Sequence, residues 1–149
     1  MNKSIRSILI ALSISICSFG LQAAEEHGHD AHAHGSETPA SGLSLNDGKR
    51  WEMDDHTRKM SLKMSKTFFN SDHSSQASLS AMGAKLENQL NQLIAGCTMD
   101  GEAHKQLHVF LADYIPNIKS LTEAKDLDMA RDSAIKLKAN LETYEKHFK

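Results

Sequence analysis

The sequence predicts an all-α fold, an antiparallel up-down-up-down four-helix bundle with a disordered N-terminal tail. Three observations carry that prediction. From residue 49 onward apolar residues recur at spacings of three and four, which puts them on one face of a helix. Polar breaks fall at Asn70–Ser75 and at Asp100-Gly101, and connections that short turn each helix back along its predecessor. No segment alternates apolar and polar residues as a half-buried strand does.

The chain has 149 residues, a length that suits one domain. Residues 1–24, MNKSIRSILIALSISICSFGLQAA, place Lys3 and Arg6 before an apolar run from Ile8 to Leu21, followed by Ala23-Ala24. That is the layout of a secretory signal peptide cleaved near Ala23 or Ala24. The run is shorter than the ~20 apolar residues of a membrane-spanning helix. The bulky Ile16 also argues against a lipoprotein reading of Cys17. The expected location is a bacterial periplasm, with no stable membrane insertion after cleavage.

Residues 25–44 come next and are expected to form the tail. EEHGHDAHAHGSETPASG has almost no large apolar side chain, so burial cannot offset its ordering entropy. His27, His29, His32 and His34 alternate there with small or acidic residues. A flexible chain can wrap several imidazoles round one divalent ion. Metal binding is therefore favoured over a merely polar linker.

The bundle domain is expected at residues 45–149. Its first stripe is Met53, Thr57, Met60, Met64 and Phe68, with Asp54 and Asp55 capping or charging the helix start. The second is Leu79, Met82, Leu86, Leu90, Leu93 and Cys97. His104, Leu107, Leu111, Tyr114, Ile118 and Leu121 form the third, with a kink expected at Pro116. Leu127, Ala130, Ala134, Leu137, Leu141, Tyr144 and Phe148 form the fourth, with Thr122 as the expected N-cap. Met60, Met64 and Met82 are read as core.

Up-down-up-down topology gathers the chemistry at one end. Met53 and His56, Cys97 and Met99, His104 and His108, and Tyr144 and His147 all belong there, while His73 lies at the other. Without residues 1–24 the chain is mildly acidic: Lys3 and Arg6 leave the 17 basic residues, against 19 acidic ones. No basic face suggests nucleic acid.

Loss of the leader also leaves Cys97 as the single cysteine. In an oxidising compartment it is buried and inert, a metal ligand, or a bridge between two chains. His104 and His108 are one helical turn apart and point to one side. With the Cys97 thiolate, and Met99 or Met53 as a weak further donor, they suggest a copper or zinc site. The competing reading is a buried cysteine beside two surface imidazoles. Catalysis is not expected, since no Ser-His-Asp set, phosphate loop or nucleophile elbow is visible.

Two resemblances follow from quoted segments. LNDGKRWEMDDHTRKM with CTMDGEAHKQLHVFLADYI resembles a family of small secreted bacterial helical-bundle proteins with LNxGxKW-like and CxMxGEAHxxLH-like segments, weakly associated with heavy-metal handling. Arg50 stands where Lys is commoner. The resemblance implies that Trp51, Cys97, Met99, His104 and His108 matter most. The architecture and the ending KANLETYEKHFK are also similar to cytochrome b562-type bundles. Glu145 follows Tyr144 where that family's haem-ligand histidine is expected, which argues against haem.

The resulting expectation is a non-enzymatic metal-binding protein that captures, buffers or delivers copper or zinc, with a metal efflux or transport system as candidate partner. The alternatives are a periplasmic interaction module and a bundle that carries haem or another small ligand.

Overall fold

The computed structural model describes residues 42–149. The expected leader, most of the expected tail, and His27, His29, His32 and His34 lie outside the described residues.

Four helices make up the domain: α1 (Asp55–Asn70), α2 (Gln76–Gly96), α3 (Gly101–Thr122) and α4 (Leu127–His147). No strand occurs among the described residues, and the fold is the all-α four-helix bundle that the periodicity predicts. Three helix starts have side-chain caps. Asp54 accepts from the Thr57 amide, Ser75 from Ser78 and Asp126 from Met129, each satisfying a donor that has no partner inside its helix. Asp126, and not Thr122, therefore caps α4. Thr122 is the last residue of α3, and its hydroxyl donates to the Ile118 carbonyl at 3.0 Å. Pro116 lies inside the unbroken α3.

The four stripes meet in one core. Leu86, Leu121, Ala130 and Leu137 are fully buried, and Met60, Met64 and Met82 are buried with them. Consecutive helices pack against each other, and α2 also packs on α4. Between α1 and α4 close packing is absent.

Residues 43–54 correct the sequence reading. They form neither helix nor tail but a strap across the ends of α1, α3 and α4. Asp47 and Gly48 both have positive φ, 50° and 76°. Asn46 and Lys49 exchange two backbone hydrogen bonds, at 2.8 and 2.9 Å. This is a two-residue hairpin turn of the kind that Asp-Gly favours. Trp51 then pairs with the end of α4. Its amide donates to the His147 carbonyl at 2.7 Å, the Lys149 amide donates to the Trp51 carbonyl at 2.9 Å, and the Met53 amide donates to Lys149 at 2.8 Å.

Before the turn, the Ser44 amide donates to the Gln106 side chain at 2.9 Å and the Ser44 carbonyl accepts from the Trp51 indole at 2.6 Å. Leu43 is 1% exposed and belongs to the core. The folded domain thus starts before residue 45, and Met53 reaches the core from the strap instead of from a helix.

The far end is fixed by a close helix approach. A Cβ built on Gly83 of α2 would lie 2.9 Å from the backbone nitrogen of Thr122 and 3.1 Å from its Cα. Backbone cannot swing aside as a side-chain tip can. Gly83→Ala is therefore expected to lower stability by about 1–3 kcal/mol through overpacking, net of the roughly 1 kcal/mol that alanine adds in helix propensity. Urea unfolding checks this, and a variant as stable as the parent would show that the α2–α3 approach is loose.

Candidate metal centre

The five histidines among the described residues fall into two groups. Three are tied to main-chain carbonyls. His56 Nε2 lies 2.9 Å from the Gln92 oxygen, His73 Nε2 lies 2.8 Å from that of Phe68, and His147 Nδ1 lies 2.8 Å from that of Thr143. A carbonyl only accepts, so each of these nitrogens carries its proton there and serves as a fastening. His56 is further hemmed in, since its ring fills the space where a side chain on Gly96 would be. His73 sits in the α1–α2 connection, with its ring against Phe68 at 5.0 Å.

His104 and His108 differ. Their Nε2 atoms face each other at 2.9 Å, with ring centroids 4.6 Å apart. Two imidazole nitrogens at that distance share one proton, so at least one lone pair already points at its neighbour. A first-row metal at about 2.0–2.1 Å from each nitrogen, subtending roughly a right angle, requires nearly this separation. A tetrahedral angle needs only a few tenths of an ångström more. The spacing arises because residues one turn apart on a helix lie one above the other.

The imidazole pair borders a groove of about 340 Å³ between the end of α2 and the first turns of α3. Cys97 lines the same groove as a free, half-buried thiol at the C-cap of α2. Leu93, Leu107 and Leu111 form its floor, and the exposed Ile94 and Ile115 its rim. Cys97, His104 and His108 thus border one groove. Met99 is half-buried and packs against the core, away from the groove lining. Among the described residues no group of three or more His, Cys, Asp or Glu side chains is gathered closely enough to hold an ion. The preorganised pair is therefore that of the two imidazoles, and the thiol lines another part of the same groove.

Asp54 locks the connection that carries Cys97. Besides capping α1, it accepts at Oδ2 from the Thr98 amide at 2.7 Å and from the Thr98 hydroxyl at 2.9 Å. Burial alone would raise the carboxyl pKa, but the hydrogen bonds from Thr57 and Thr98 outweigh it and hold the group well below the usual carboxylate range. Sequence reading assigned Asp54 only to the helix start. Its second bond, to a residue 44 positions away, had no local signal.

No family model, curated protein or solved structure matches this chain. No helix of the described residues is long and apolar enough to cross a membrane.

Proposed function

We propose that this chain is a periplasmic metal-binding protein that captures, buffers or delivers copper or zinc. One observation supports the reading above the others: the facing Nε2 atoms of His104 and His108, the two described histidines not fastened to main chain, on a groove that the free Cys97 thiol also lines. Imidazole and thiolate together suit copper or zinc and not the hard cations that prefer oxygen. His27, His29, His32 and His34 would raise the local concentration of the ion and pass it to the bundle. A metal efflux or transport system is the matching partner. The acidic balance of the chain gives no support to nucleic-acid binding.

The test is calorimetric titration of the mature, metal-free protein with zinc and with copper. His104→Ala and His108→Ala are each expected to weaken a single tight site by at least tenfold, and Cys97→Ser by less. His73→Ala, at the far end, is expected to leave affinity unchanged. Removing the four tail histidines should lower the metal bound per chain while preserving the tight site. Melting curves control for folding, and His108 is exposed enough for its variant to fold. Unchanged affinity in both bundle variants would assign binding to the tail and leave the groove without a metal. The rim residues Ile94 and Ile115 favour the competing interaction module. That reading gains if metal binds nowhere and the groove variants alter association instead.

A further inference from the structure

The seam where α1 meets α3 and α4 holds a second cavity of about 200 Å³, which shares Leu93, Leu107 and Leu111 with the histidine groove. Met64, Leu93, Leu107 and Leu141 give it apolar walls. Three aromatic rings extend them. Phe110 stacks on Tyr114 at 5.2 Å and meets Tyr144 edge-on at 5.4 Å.

Both tyrosines line the cavity, and their hydroxyls are shielded from water without a hydrogen-bond partner. Tyr114 is 1% exposed. Tyr144 has Ser61 nearby, but no bond of proper geometry closes between them. Burial pushes both phenols above their ordinary pKa, so both keep their protons as donors. Orphaned buried hydroxyls are rare in folded proteins, because each forfeits its bond to water. Two of them beside one apolar cavity point to an absent partner.

We propose that this seam binds a small neutral aromatic molecule bearing one hydroxyl or carbonyl oxygen, with its ring among Phe110, Tyr114 and Tyr144 and its oxygen serving the tyrosine hydroxyls. The size fits a single ring, since an apolar cavity of about 150 Å³ accepts benzene, whereas drug-sized ligands occupy roughly 300–1,000 Å³. Neutrality follows from the mouth, where Arg58 and Glu145 carry opposite charges beside Ser61 and Leu62. Neither sign of ligand charge is favoured over the other. The site uses neither histidine nor Cys97, although three leucines separate it from the groove as a common wall.

The test uses the mature protein with a chelator present and two probes of similar shape, phenol and toluene. Ligand-observed NMR and thermal shift are expected to show phenol binding at least tenfold more tightly than toluene. Tyr114→Phe removes the orphaned hydroxyl and keeps the ring. It should melt no lower than the parent without ligand, yet lose about tenfold in phenol affinity while toluene affinity stays the same. Leu62→Trp, at the exposed mouth, should block both probes. Equal affinities for phenol and toluene, unchanged phenol affinity in Tyr114→Phe, or no binding of either probe would each overturn the proposal.

Discussion

Leu43→Ala is expected to lower the unfolding free energy by about 2–5 kcal/mol, the range for truncating a buried leucine. The size of the effect is unusual for a residue outside every helix. It follows because Leu43 is 1% exposed in the core and held there by two anchors. The Ser44 amide is fixed to Gln106 of α3, and the Ser44 carbonyl to the Trp51 indole. A strap pinned twice at the next residue has little freedom to fill the void, so the cavity cost adds to the lost transfer energy. Chemical denaturation of Leu43→Ala beside Leu45→Ala checks this. Leu45 is 42% exposed and should cost little. Equal small losses at both positions would mean that the strap is loosely attached.

Asp54→Ala is expected to cost about 2–3 kcal/mol, combining a lost N-cap, roughly 0.5–2 kcal/mol, with lost hydrogen bonds to a charged acceptor. Partial exposure keeps the total below the simple sum. The effect depends on pH in a definite direction. The folded-state pKa is depressed, so the stabilisation is fully present above the unfolded value of about 3.9. It is lost as pH falls toward the folded value. Asp54→Asn retains a good cap for Thr57 and removes the charge. It should lie closer to the parent at neutral pH and lose less stability between about pH 4 and pH 2. Thermal melts across that range decide the matter. Parallel acid profiles for parent and Asn variant would show that Asp54 is not the linked group.

The helices were legible because their signals are local. Spacings of three and four marked the buried faces of all four, and Asn70–Ser75 and Asp100-Gly101 marked two of the connections. Asp126 and Thr122 are both residue types that cap helices, and only the course of the chain separates them. The strap was missed for a different reason. Asp47-Gly48 is a local hairpin signal, but the bonds of Trp51 to His147 and Lys149 have no local trace at all. At the candidate site, the facing of His104 and His108 was readable from one helical turn. That Cys97 lines the same groove followed from the order of the helices. The fastening of His56 and His147 to carbonyls was not readable, and it is what reduces a cluster of imidazoles to a pair. Met99 packs half-buried against the core, where a flexible apolar thioether next to a helix end fills space.

The strap also bears on the order in which the chain folds. The α1–α2 and α3–α4 hairpins close over short connections, so their contacts cost little loop entropy and form early. Pairing of Trp51 with Phe148 joins residues almost the whole domain apart, and its entropy cost is met only once the helices have docked. Contacts made after the rate-limiting step leave the folding rate nearly untouched and act on the escape from the native state. The strap is thus expected to act as a kinetic latch: in stopped-flow chevrons, weakening it should speed unfolding and leave the folding rate nearly unchanged.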